Sequence, residues 1–275
     1  MTQLTPHSPQ CNLTGGPSKG RRTRRIVPCV LMLGMFAQPA NFARPVEPRS
    51  FDRMLLLETS SETSASVSLG DIDRDGDLDI VLAKGRHWPL NNLILRNDGS
   101  GHFTTENLAD APDRTYSAAL ADLDGDGTLD IVVSNDRPDR KLTYLNDGKG
   151  HFREVGTFGQ PEWSTRYVTV ADLNGDKRPD LIVANRSSNA ANPRPSFVCL
   201  NDGTGSFPSC KPLPTQSATI IVAADLDGDG RIDLFVPHRD GGQNLIFWND
   251  GSGTFSAPAA SVGPEHSSIR AAGAA

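Results

Sequence analysis

Asp122-Leu123-Asp124-Gly125-Asp126-Gly127-Thr128-Leu129-Asp130 runs straight into the apolar stretch Ile131-Val132-Val133 and is followed further on by Asn146-Asp147-Gly148-Lys149-Gly150-His151-Phe152. These two segments decide the fold. Asn-Asp-Gly between apolar runs supplies the positive φ of a tight hairpin, so the elements on either side are expected to be antiparallel strands. The acidic loop offers side-chain oxygens at alternate residues, a spacing that converges on a point.

Both segments recur. Asp71 to Asp79, Asp172 to Asp180 and Asp225 to Asp233 repeat the acidic loop, with first residues 51, 50 and 53 apart, and Asn97-Asp98-Gly99, Asn201-Asp202-Gly203 and Asn249-Asp250-Gly251 repeat the turn. A period of this size marks stacked or radial architecture. In the first repeat the strands are expected at Ser64 to Leu69, Leu78 to Lys84, Asn92 to Arg96 and His102 to Asn107. Four short antiparallel strands per repeat make one propeller blade. The expected fold class is therefore all-β: a β-propeller of four-stranded antiparallel blades, four of them complete, with repeats starting near residues 64, 115, 165 and 218. Residues 51–58 read as an outer strand whose own blade is otherwise missing. Residues 267–275 resemble the strand before each acidic loop, so the chain is expected to stop at the start of a further blade, a natural end with a frayed tail being the alternative. Phe103, Phe152, Phe207 and Phe255 share one register of the last strand, where a ring can pack against a neighbouring blade.

Composition agrees. Hydrophobic residues make up 37% and charged residues 22% of the 275, which excludes a fully disordered or collagen-like chain. The 26 Gly and 20 Pro favour many turns over long helices. With 27 Lys and Arg against 33 Asp and Glu, no general attraction to nucleic acid is expected.

Lys19, Arg21, Arg22, Arg24 and Arg25, unaccompanied by any acid in residues 1–40, precede the apolar run Ile26 to Ala37. This reads as a signal peptide over 1–40 with a linker at 41–50, against the alternative of a basic tail. The processed chain would be secreted or periplasmic, with no membrane span. Cys199 and Cys210 flank the third hairpin turn and either face each other as a disulfide or are two unrelated thiols.

Hard divalent cations such as calcium take six to eight oxygens at about 2.3 to 2.6 Å. The first loop offers carboxylates at Asp71, Asp73 and Asp75, the carbonyl of Asp77, and Asp79 through both oxygens. The second offers Asp122, Asp124, Asp126, Thr128 and Asp130; the third Asp172, Asn174, Asp176, Arg178 and Asp180; the fourth Asp225, Asp227, Asp229, Arg231 and Asp233. The opening matches an EF-hand loop, but the closing acid comes at position nine and no helix former flanks it, so a strand-flanked loop is expected. Up to four Ca2+ sites follow, the third weakest, because Asn174 lowers the ligand charge and Lys177 replaces glycine at the turn. Loss of the signal takes the formal charge from −6 to −11, and four dications would return it to −3, which gives the acid excess a purpose.

The motif DxDxDGxxD followed by NDGxGxF, over residues 51–275, resembles the FG-GAP or VCBS-type repeats of integrin α-subunit propellers and many secreted bacterial proteins. The resemblance implies a β-propeller with calcium between the first two strands of a blade, and a non-catalytic role in adhesion to an extracellular carbohydrate or protein ligand. Four complete repeats are fewer than the family usually closes into a ring. Trp88, Trp163 and Trp248 are candidate ligand contacts, with packing as the blander role. The rival is the propeller part of a calcium-dependent polysaccharide lyase. The sequence shows no Ser-His-Asp or Cys-His arrangement, and its six histidines are scattered, so no catalytic residue is assigned.

Overall fold

The computed structural model describes residues 55–58, 61–187, 194–240 and 242–273; the expected signal peptide and linker lie outside them. Among the described residues, sixteen strands form four separate antiparallel sheets, each a meander of four in sequence order. Blade 1 holds β1 (Ser64–Gly70), β2 (Asp79–Lys84), β3 (Leu93–Asn97) and β4 (Phe103–Asn107). Blade 2 holds β5 (Thr115–Ala121), β6 (Asp130–Asn135), β7 (Lys141–Asn146) and β8 (Phe152–Phe158). Blade 3 holds β9 (Thr165–Ala171), β10 (Asp180–Asn185), β11 (Ser196–Leu200) and β12 (Ser209–Leu213). Blade 4 holds β13 (Val222–Ala224), β14 (Asp233–Val236), β15 (Gly242–Phe247) and β16 (Ala260–Ser267). The first strand of each blade touches the first strand of the next, giving the radial array of a β-propeller.

Every residue of β6 and β10 is buried, because both faces of these strands are covered. Alternation along such a strand therefore feeds two different cores. Ile131 and Val133 pack with Ile72, Val81 and Ile94 of blade 1, whereas Val132 packs with Val168, Leu181 and Val183 of blade 3. A third core joins Leu173, Ile182 and Val198 of blade 3 to Ile221, Leu234 and Phe247 of blade 4. Stability thus resides between blades. The residue four before each loop shows it: Ala118, Val168 and Ile221 are at most 5% exposed, but Val67, with no preceding blade among the described residues, is 58% exposed.

Phe207 packs edge-on against Phe158 of blade 2 as expected, and Phe255, edge-on to Phe247 of its own blade, lies in the core shared with blade 3. Trp163 stacks on Phe197 with centroids 3.9 Å apart, which is the packing role. Cys199 and Cys210 stand directly opposite on β11 and β12 and are joined as a disulfide. Of residues 51–58, the described ones, 55–58, form no strand; no strand edge pairs with them, and the Glu58 carboxylate instead accepts from the Lys84 ammonium. Residues 268–273 are likewise outside any strand, although Ile269 N donates to His238 O (2.9 Å) much as Ala218 N does to Asn185 O.

Candidate metal centres

Each acidic loop joins the first strand of a blade to the second. Two residues of every loop take left-handed backbone: Arg74, Gly125, Gly175 and Gly228 at position four, and Gly76, Gly127, Lys177 and Gly230 at position six. These bends turn successive backbone N–H groups inward, where the first aspartate collects them. Asp122 Oδ1 accepts from Gly125 N (2.8 Å) and Oδ2 from Gly127 N (2.9 Å). Asp172 and Asp225 do the same in their own loops, and Asp71 accepts from Gly76 N through Oδ2 but from Asp75 N, one residue later than position four, through Oδ1. Lys177 adopts its unfavourable conformation, φ 66°, and its N–H is held by Asp172 Oδ2 at 2.8 Å, so the third loop keeps its shape.

The position-nine aspartate works differently. Asp130 Oδ2 accepts from Leu123 N (2.7 Å) at the start of the loop, and Oδ1 from Asn146 N (2.9 Å) in the hairpin turn. Asp79, Asp180 and Asp233 repeat this pair of bonds. All four are fully buried. Each is a staple between the loop and the turn as well as a candidate ligand. Burial pushes the Asp130 carboxyl up to about 6, against the pull of its two backbone donors, and Asp124 and Asp126 push it further. Asp79 and Asp180 move the same way, with desolvation again the largest cause.

Three loops bring acids together. Carboxylate oxygens of Asp71, Asp73 and Asp79, of Asp122, Asp124 and Asp130, and of Asp225, Asp227 and Asp229 lie within 4.8 Å of one another. Asp75, Asp126 and Asp233 are not in those trios. Among the described residues no trio of acids forms in the third loop, where Asn174 Nδ2 donates to Asp176 Oδ2 (2.9 Å) and Arg178 pairs with the same oxygen at 2.7 Å. At position seven, Thr128 donates to Asp126, and the Arg231 side chain pairs with Asp229. Asp126 is accordingly held below the usual carboxylate range, chiefly by the Thr128 hydroxyl and N–H.

These residues fit a hard cation. Three carboxylates whose oxygens lie within 4.8 Å of one another carry a charge that a dication would neutralise. In the first loop Asp73 Oδ1 is moreover buried without a hydrogen-bond partner, an acceptor available to an ion.

The turns hold a residue that sequence reading had treated only as a hairpin former. Asn146 Nδ2 donates to Leu129 O (3.0 Å) in its own blade and to Ile72 O (2.7 Å) in the loop of blade 1. Asn201 reaches Leu123 O (2.8 Å) and Asn249 reaches Leu173 O (2.8 Å) in the same way. Asn97, with no preceding loop among the described residues, bonds only Leu78 O through that nitrogen. The turns of blades 2, 3 and 4 therefore tie their own blades to the acidic loop before them. The sequence signal was present: Asn, Asp and Gly all serve a hairpin, yet asparagine opens all four turns.

An FG-GAP-like repeat model matches residues 71–133, 129–183 and 225–275, more than half of the chain. The chain belongs to the FG-GAP-like repeat family. Comparison with curated proteins gave no match. Among solved structures, an Agrocybe aegerita lectin that recognises non-reducing terminal N-acetylglucosamine is 26% identical, with a TM-score of 0.47 over 69% of this chain and 50% of the lectin. The V. cholerae biofilm matrix protein Bap1 is 19% identical, with a TM-score of 0.39 over 69% of this chain and 31% of Bap1. A Photorhabdus luminescens Tc holotoxin pore is 23% identical, with a TM-score of 0.36 over 74% and 9%. This FG-GAP chain spans half or less of the length of each.

Proposed function

We propose that the chain is a secreted, calcium-stabilised, non-catalytic binding module whose loops present a surface to an extracellular carbohydrate or protein. The observation that carries this reading is the repeated convergence of carboxylates in rigid, strand-flanked loops, with Asp73 Oδ1 left unpartnered. Calcium would be held by Asp71, Asp73 and Asp79, by Asp122, Asp124 and Asp130, and by Asp225, Asp227 and Asp229, with the Asn174 loop the weakest of four sites. It would supply charge neutralisation, which fixes each loop against the asparagine that reaches it from the next blade. Ligand binding then falls to residues that differ between repeats, since the loop residues are committed to structure.

The test is a carbohydrate and protein binding screen of the full chain with calcium and with EGTA, beside a turnover assay on acidic polysaccharides. Saturable, calcium-dependent binding without turnover is expected. Calcium-dependent chain cleavage would show a lyase and overturn the non-catalytic reading.

A further inference from the structure

The edge of the array opposite the acidic loops is where each first strand begins and each second strand ends. Repeats that agree at most loop positions disagree here. Six residues before the first loop aspartate stand Ala65, Tyr116, Arg166 and Thr219, and Arg270 follows at the same spacing; six after the position-nine aspartate stand Gly85, Asp136, Arg186 and Arg239. The divergence collects positive charge. Arg166 lies with its guanidinium carbon 4.0 Å from the Tyr116 ring centroid, Arg86 lies 5.4 Å from the same centroid, and the Tyr116 hydroxyl contacts His87 Nε2 at 3.0 Å. Asp240 faces both Arg186 Nε (3.3 Å) and Arg239 Nε (3.6 Å).

Two acids, Asp136 and Asp240, stand among Arg86, Arg166, Arg186, Arg239 and Arg270, and among the described residues no other acid is paired with these five. Asp136 Oδ2 is 2.9 Å from Arg166 Nη1 but poorly aligned to accept from it, so this nitrogen, on a side chain only 10% exposed, is buried without a hydrogen-bond partner. Arg239 holds its proton less tightly than usual, through burial first and then the charges of Arg186, Arg270 and Arg166, against the pull of Asp240. Arg86 and Asp240, at matching places in their repeats, both take left-handed backbone, φ 54° and 67°. Strain of this kind concentrates at functional sites. Trp88, in the same turn as Arg86, is 69% exposed.

We propose that this rim binds an acidic polysaccharide, Arg186 and Arg239 taking its carboxylate or sulfate groups and Trp88 offering an aromatic face to a sugar ring. Guanidinium groups bind such anions through paired charge-assisted hydrogen bonds, and an exposed aromatic on the same edge, in the turn that carries Arg86, favours a polymer of sugar acids over a free anion. The inference rests on the binding-module reading and assigns that module's ligand class and face.

The experiment measures binding of the full chain to polygalacturonate, dextran sulfate, neutral dextran and single-stranded DNA. The two acidic polysaccharides separate carboxylate from sulfate as the recognised group. Expected are binding to at least one of them, none to neutral dextran or DNA, and weakening at about 0.5 M NaCl. Arg186→Gln and Arg239→Gln each weaken binding about tenfold with an unchanged melt, and Arg153→Gln on β8 leaves it intact. Asp240→Asn tightens binding, an outcome that misfolding does not imitate. Failure to bind either acidic polymer, binding indifferent to Arg186 and Arg239, or equal binding of DNA overturns the assignment. Capture of a neutral glycan or a protein instead would overturn this assignment alone, while polysaccharide turnover would overturn the non-catalytic reading and leave the rim to be judged by the affinities of its variants.

Discussion

Asn146→Ala removes the tie between blade 2 and the first acidic loop, and its cost follows from four hydrogen bonds. Nδ2 donates to Ile72 O at 2.7 Å and Leu129 O at 3.0 Å, while Oδ1 accepts from Gly148 N at 3.1 Å and Gly150 N at 2.9 Å. The bonds to Ile72 and Gly150 are buried, so truncation strands an acceptor and a donor away from water. Each stranded group costs about 1–3 kcal/mol, and the two part-buried groups, which water can reach, cost less. A total loss of about 3–4 kcal/mol is expected. Asn97→Ala is the internal control: Nδ2 donates to Leu78 O and Oδ1 accepts from Gly99 N and Gly101 N, each at 3.2 Å and each in an exposed setting where water replaces the lost partner, for an expected loss of about 1 kcal/mol or less. Urea denaturation of both variants in calcium gives the comparison, provided the slope m is unchanged. Equal losses at Asn97 and Asn146 would refute the inter-blade tie.

Cys199→Ser opens an 11-residue cross-strand link and should lower stability by about 2–3 kcal/mol relative to the oxidised wild type, and the reduced wild type should fall by the same amount. The Asp113 carboxyl is pushed up to about 6 by burial and by Asp139, so its contribution is fully present below about pH 4 and is lost as pH rises through 6. Asp113→Asn should therefore flatten the pH dependence of the urea midpoint between pH 4 and 8 and gain relative stability at pH 8; an unchanged profile would contradict this. Asn174→Asp restores the missing carboxylate of the third loop, and calorimetry should detect tighter calcium binding there; no change would mean that the bond from Asn174 to Asp176 is not what weakens the site.

The blades were legible because their signals are local. Alternation, Asn-Asp-Gly turns and apolar runs placed β1 to β4 to within a residue, and the doubly buried second strands had announced themselves as unbroken apolar stretches such as Ile131 to Val133. What stayed hidden depends on contacts between repeats. Nothing in the spacing of Asp130 tells a bidentate ligand from a carboxylate that also accepts two backbone N–H groups, because its donors, Leu123 and Asn146, come together only after the hairpin closes. Arg74 stands where the other loops carry glycine, and its left-handed backbone was visible only by aligning position four as well as position six. The arginine rim was scattered over repeat positions with no common motif, and only the array gathers it.

Calcium binding to the full chain, followed by its thermal melt with the ion and with EGTA, bears most directly on whether the repeated aspartates cage cations. Three or four bound ions are expected, with stabilisation of about 2.7 kcal/mol per site at free calcium 100 times Kd and its loss on chelation. No bound calcium, together with the same melting temperature in EGTA, would contradict it.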